Sequence, residues 1–305
     1  MLVPNFCVVL VNYHGVSVTL ACIQSLKVSA LQANCDLSII VVDNSGEFPV
    51  GVDSSVTVLK TGQNIGLAGA WYIGQYNLVA QSSDYLVFLN NDTHTDVDFF
   101  SEVVRGINKW GSKCAFGPRI LFASEPNKIW SRGGSISKYS ASVKHSGEGV
   151  SATDVQIVDF ETGHLSGCCL IVKTTDMNAI GGVDTNFFFR GEEWDINYRL
   201  SQLGIKLVLL DSARLYHAVN GSHDRFELKM LYLAYRAKVL FAKKIQPFWY
   251  FPVWLLASLI YGVFVAPVKF SRLSGVGAQA IRPVLLSALI DGIVKDKIRI
   301  EDYGR

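Results

Sequence analysis

The sequence lacks several features that would narrow its function at once. Its six cysteines are Cys7, Cys22, Cys35, Cys114, Cys168 and Cys169, and none form a C-x-x-C pair or a His/Cys cluster at zinc-ligand spacing. That argues against a zinc ribbon or a disulfide framework, so reduced structural thiols in a cytoplasmic setting are expected. No basic segment followed by an apolar run opens the chain, because Pro4 and Asn5 lead straight into an apparent strand, and secretion is not expected. Charge is scarce at 18%, and 28 Lys and Arg against 26 Asp and Glu leave a net +2, too even for a nucleic-acid-binding face. No glycine-rich basic phosphate loop follows the first apolar run, which counts against a nucleotidyltransferase.

Apolar residues are plentiful, at 50% of 305 residues, enough to bury a large core in one catalytic domain with a tail. Short β-branched runs at 7–11, 37–42, 56–59 and 85–89 read as buried strands, ending at Asn12, at Asp43-Asn44-Ser45-Gly46 and at Asn90-Asn91-Asp92. Between them, Val18, Cys22, Leu26 and Ala30 share a helical face, and 67–79 reads as a second helix. Such alternation predicts an α/β fold with a mostly parallel, Rossmann-like sheet covered by helices. Ligands of these folds sit at the carboxyl ends of the strands, where Asn12, Asp43, Asn44 and Asp92 collect. Further strands are expected at 115–122, 130–135, 168–173 and 206–210, a helix at 193–203, and a mobile Gly/Ser-rich loop at 133–151.

Past a helix expected at 226–244, residues 245–268 carry no charge and are long enough to cross a bilayer. Pro247, Pro252 and Pro267 interrupt them, Lys243, Lys244, Lys269 and Arg272 flank both sides, and Trp249, Tyr250, Trp254 and Tyr261 favour the headgroup level. The segment therefore reads as dipping into the cytoplasmic leaflet, a single pass or a buried core helix pair being the alternatives. A second stretch, with Ile281, Leu285, Leu289 and Ile293 on one face and Arg282, Lys295, Lys297 and Arg299 nearby, reads as surface-attaching. These features divide the chain into a catalytic domain at 1–224 and a membrane-associating helical tail at 225–305.

Two acidic groups carry candidate chemistry. Asp92 at a strand end can hold a hard divalent cation, or simply turn the chain. Glu192, Glu193 and Asp195 crowd together, so that one gains the raised pKa of a general base, or all three merely complement a helix dipole. His217 follows a late strand and could join the metal.

In order along the chain, Val11-Asn12-Tyr13, Val41-Val42-Asp43-Asn44-Ser45, Asn64-Ile65-Gly66-Leu67-Ala68-Gly69, Leu89-Asn90-Asn91-Asp92, Gly181-Gly182-Val183-Asp184, Phe187-Phe188 and Gly191-Glu192-Glu193-Trp194-Asp195 resemble the motif set of family 2 glycosyltransferases, in their rhamnosyltransferase-like branch. The resemblance covers about 6–223 and, more loosely, the tail. It implies a GT-A fold that inverts the anomeric carbon, using a nucleotide-diphosphate sugar donor, and the apolar tail beside the site makes a glycan or lipid-linked acceptor the expected partner. It also implies a nucleotide pocket at Asn12, Asp43, Asn44, Asn64, Gly66 and Asn91, Mg2+ or Mn2+ on Asp92 with Asn90 and His217, and Glu193 as base, with Glu192 and Asp195 as competitors. Asn90 replaces an acidic residue common in relatives, Glu193 a commoner aspartate, and Trp71-Tyr72 stand where relatives often have Asn. A non-catalytic sugar- or nucleotide-binding membrane scaffold with the same fold is the other reading.

Overall fold

The computed structural model describes residues 3–51, 53–219, 228–295 and 297–298. Four strands, β1 (Phe6–Asn12), β2 (Leu37–Asp43), β3 (Val56–Lys60) and β4 (Tyr85–Leu89), pair in parallel in the order β3-β2-β1-β4. Their near-continuous apolar runs are those of strands covered on both faces, and Val8, Val9 and Leu10 are wholly buried. Helix α1 (Val16–Ala33) lays Cys22, Leu26 and Ala30 on one face of the sheet and ends at Asn34, which takes the left-handed conformation. The helix expected at 67–79 is two helices, α2 (Gly66–Gln75) and α3 (Leu78–Gln81), because the Asn77 side chain accepts from the Val79 amide and caps a new start.

The chain then forms β5 (Thr93–Thr95), α4 (Phe99–Trp110), β6 (Cys114–Phe122), β7 (Ile129–Ser131), β8 (Gly134–Ser137), β9 (Ser142–His145), β10 (Phe160–Glu161), β11 (Cys169–Lys173), α5 (Thr174–Ala179), α6 (Glu192–Gln202) and β12 (Lys206–His217). β11 runs antiparallel to β4 and joins it to β6, which pairs in parallel with β12 and so extends the sheet. The 133–151 segment is not a mobile loop: β8 and β9 form a hairpin with Ile136 opposite Val143, and Gly134 bridges His164. Its serines hide the strand alternation, and Thr162 fixes it by donating to and accepting from the Gly134 backbone. β12 runs past its expected end at residue 210 through a bulge between Leu210 and Arg214. There the buried Asp211 accepts two hydrogen bonds from Arg132, at 2.9 and 2.8 Å.

Among the described residues there follow α7 (Leu228–Ile245), α8 (Phe251–Ile260), α9 (Ala266–Ser274) and α10 (Ala278–Val294). A π-helical turn, Tyr261–Val265, joins α8 to α9, so Pro252 and Pro267 do not interrupt the helix, whereas Pro247 lies between α7 and α8. Pro252 stands in the first turn of α8, where a missing amide matters least, and Pro267 follows directly on the π turn. Among the described residues, two helices are long and apolar enough to cross a membrane by length and composition, Val16–Ala33 and Phe251–Ser274. The first covers the sheet, whereas the second leaves Val253, Leu256, Ile260 and Phe264 exposed.

The second amphipathic stretch is a correction. Ile281, Leu285 and Leu289 are buried inside the protein while Ile293 stays exposed, and Gly292 lets α10 approach α7 so closely that an added Cβ would lie 2.7 Å from Val239. One apolar stripe serves a membrane or another helix equally well, and here it serves the helix. The Tyr232 hydroxyl donates to Asp291 across the same contact at 2.7 Å. α7 also packs inward, since Ala237, Val239 and Phe241 share one hydrophobic cluster with Val9, Trp71 and Phe88. Arg299, the start expected near Phe226 and the 224/225 boundary lie outside the described residues. All six thiols are free and, except for the half-buried Cys35, buried; burial pushes Cys7 and Cys22 up to about 12.

Candidate active site

The carboxyl ends of β1, β2 and β4 are held by a chain of side-chain hydrogen bonds. Asn91 donates to Thr19 at 2.8 Å, Thr19 to Asn12 Oδ1 at 3.1 Å, and the Asn12 side-chain amide to Asp43 at 3.0 Å. Asp43 also accepts from the Ser45 hydroxyl and amide and from the Phe48 amide. Burial alone would push the Asp43 carboxyl up, but these bonds outweigh it and hold it below the usual carboxylate range. Asn12 and Asp43 are wholly buried, so they shape the strand-end loops from beneath. Asn44 is different: its amide donates to the Gly66 carbonyl at 3.0 Å, while its buried Oδ1 has no partner among the described residues.

Asn64 accepts from the Gly66 amide at 2.9 Å and turns the chain into α2. Gly66 itself has φ +78°, and a Cβ there would fall 2.2 Å from the Phe188 carbonyl oxygen, which accepts from the Leu67 amide at 2.8 Å. Only glycine meets both demands, so the Gly66-Leu67 turn docks the start of α2 onto the Phe187-Phe188 segment. Trp71 is a core residue, its ring centroid 4.9 Å from that of Phe88.

Asp92 and His217 meet because β5 pairs antiparallel with the end of β12, setting His217 opposite Thr93. His217 Nε2 lies 3.2 Å from Asp92 Oδ1, and the buried His217 Nδ1 has no partner among the described residues. Asn90 takes part through its backbone, its carbonyl accepting from the Thr93 hydroxyl at 2.7 Å and its amide donating to the Cys168 carbonyl at 2.9 Å. No group of three or more His, Cys, Asp or Glu side chains is assembled for a metal among the described residues. One carboxylate and one imidazole still fit a hard divalent cation of the kind that keeps water and substrate phosphates as its other ligands.

The acidic triplet divides into three environments. Asp195 is bound to Arg199 at 2.5 Å and to Lys244 of α7 at 2.7 Å, and Lys244 also pairs with Asp184. It is a clasp between α6 and α7 rather than a free base. Glu192 is buried with Oε2 unpartnered among the described residues, and burial, reinforced by the Glu193 charge, pushes its carboxyl well up. Glu193 is only half-buried, and its own burial raises its pKa against the lowering effect of the nearby backbone amides of Glu193 and Gly191. Its side chain lies over Gly167, where an added Cβ would be 3.0–3.2 Å from Glu193 carbons. The next residue, Cys168, accepts from the Asn90 amide, so Glu193 and the Asn90-Asn91-Asp92 loop lean on one turn.

A row of rings that the motifs do not announce links the two clusters. His217 stands edge-on to Trp130 at 4.7 Å, Trp130 lies 5.4 Å from His145, and His145 lies 5.5 Å from His164. The wholly buried His164 places Nδ1 3.1 Å from the Asn197 amide nitrogen of α6, and burial holds its pKa down to about 3. These residues come from three strands, an isolated bridge and one helix, so sequence spacing carries no signal for them.

No protein-family model matches the chain. Galactofuranosyltransferase GlfT1 of Mycobacterium tuberculosis is 26% identical over 204 residues, covering 63% of this chain, so the chain spans 64% of the length of the curated relative it matches. Among solved structures, GalNAc-T7 with UDP, GalNAc and Mn2+ superposes with a TM-score of 0.62 at 15% identity, covering 94% of this chain and 55% of that one. Mannosyltransferase PcManGT of Pyrobaculum calidifontis, in complex with GDP-Man and Mn2+, gives 0.53 at 13% identity, covering 96% of this chain and 88% of that one. With its largely parallel sheet and the helices that cover it, the chain has the GT-A type of α/β fold.

Proposed function

We propose that the protein is an inverting glycosyltransferase that moves a sugar, rhamnose being one candidate, from a nucleotide-diphosphate donor to a glycan or lipid-linked acceptor in cell-surface polysaccharide synthesis. One observation carries the reading: within a GT-A fold, the half-buried Glu193 and the Asp92–His217 pair lean on the same turn at the strand ends. The branch of family 2 named by the motif order supplies the candidate sugar, and GlfT1, PcManGT and GalNAc-T7 lend support through what they transfer or bind.

In this reading Asn44 Oδ1 accepts a hydrogen bond from the nucleotide, beside the Asn64-Gly66 turn. Asp92 and His217, with Asn90 beside them, hold Mg2+ or Mn2+, which when bound supplies charge to neutralise the departing diphosphate. Glu193 takes the proton from the acceptor hydroxyl, which attacks the anomeric carbon on the face opposite the diphosphate. The exposed apolar face of α8 and the π turn rests on the cytoplasmic side of the membrane, where a lipid-linked acceptor is met in two dimensions.

Release of nucleoside diphosphate from a panel of nucleotide-sugars tests this directly, alongside Mn2+ binding followed by electron paramagnetic resonance. Asp92→Ala is expected to lose Mn2+ binding and release together, while Glu193→Gln keeps Mn2+ and loses release. Nucleotide and Mn2+ binding without turnover of any donor, even with membrane lipid extract present, would favour the non-catalytic scaffold.

A further inference from the structure

A cavity of about 480 Å³ opens between the β8–β9 hairpin and the tail helices. Tyr235, Tyr250, Trp254 and Tyr261 form its aromatic walls, serine hydroxyls complete its polar lining, and Lys238 is the one charged side chain among its described lining residues. No carboxylate lines it, and Lys238 has no ion-pair or hydrogen-bond partner among the described residues. An ammonium partly withdrawn from water without a counter-ion is unfavourable, and this half-burial lowers its pKa. An anion entering the cavity would relieve that cost.

The surroundings define the rest of the ligand. Trp254, Ala257, Ser258 and Tyr261 line the cavity from one side of α8 and its π turn, while Val253, Leu256, Ile260 and Phe264 lie exposed on the adjoining side. A molecule with its anionic end on Lys238 therefore leaves across apolar surface. On the opposite wall, the hairpin bridges from Gly134 to His164, and Ala237, the neighbour of Lys238, packs on Gly191 at the start of α6. The hairpin and α7, which line the cavity through Ser137, Ser140 and Lys238, thus also reach His164 and the start of α6.

We propose that this cavity binds the phosphate of a lipid, with Lys238 as its charged partner, the tyrosine and serine hydroxyls as neutral donors, and the exposed face of α8 and the π turn as the bed for the hydrocarbon chain. The inference rests on the transferase reading and makes the site the seat of a lipid-linked acceptor. A phosphate-bearing carrier lipid and a bulk membrane phospholipid share the required chemistry.

The test is calorimetric binding to the full chain in neutral detergent, with farnesyl phosphate, farnesol and inorganic phosphate as probes, and retention on phosphatidylcholine vesicles with and without phosphatidylglycerol. Farnesyl phosphate is expected to bind about tenfold or more tightly than either farnesol or inorganic phosphate, Lys238→Met to erase that preference, and Lys238→Arg to keep it. Lys238-dependent retention on phosphatidylglycerol vesicles without a farnesyl phosphate preference also supports the site, with the membrane as the source. Equal binding of farnesyl phosphate and farnesol without such retention, or an undiminished preference in a Lys238→Met protein that melts like the parent, overturns it. Mn2+ binding and donor turnover are measured on the same proteins: their absence from the parent sinks the transferase reading while leaving Lys238-dependent lipid binding to be judged alone.

Discussion

Glu193 and Asp195 sit two residues apart and have been given opposite work by their neighbours. Asp195 is held by two cations, whereas Glu193 lies over a glycine with a raised pKa. A base must be deprotonated to act, so kcat/KM should climb as pH rises through the raised Glu193 pKa, placing the acid limb above the ordinary carboxylate range. Glu193→Gln should lower kcat about 10² to 10⁴-fold and remove that limb, as a pH–rate profile of both proteins would show. That three acids cluster here is plain from the sequence, but their division of labour is not. It depends on Lys244, forty-nine positions beyond Asp195, and on Gly167, neither of which any motif singles out.

At the scale of elements, the join between α2 and the segment before α6 rests on a single missing Cβ. Gly66→Ala would force a positive φ on alanine and drive its methyl into the Phe188 carbonyl, at a cost of about 3 kcal/mol, read as a lower midpoint in urea. The parallel strands were legible because a buried parallel strand announces itself as an unbroken β-branched run. The hairpin at β8 and β9 was not, since alternating serines look like a linker until Thr162 and His164 close on them. The stripe at Ile281, Leu285 and Leu289 was visible but ambiguous, because periodicity names an apolar face without naming its partner. The meeting of Asp92 with His217 depends on a three-residue strand too short to leave a pattern.

For the molecule as a whole, the buried ring of His164 couples stability to acidity. His164 is held down to about 3 in the folded protein, against about 6.5 for a free imidazole, so between those values the unfolded chain binds the extra proton. The stability that His164 contributes is therefore fully present above about pH 6.5 and is lost as pH drops toward 3. Thermal melts at pH 7.5 and 5 should show the decline, and His164→Gln should flatten it.

The free cysteines give the same molecule a built-in clock. Five of the six thiols lie inside the folded protein and burial keeps them protonated, so an alkylating reagent can reach them only when the structure opens. The rate at which those five become modified, once the half-buried Cys35 is blocked, reports how often the sheet and its covering helices come apart under native conditions.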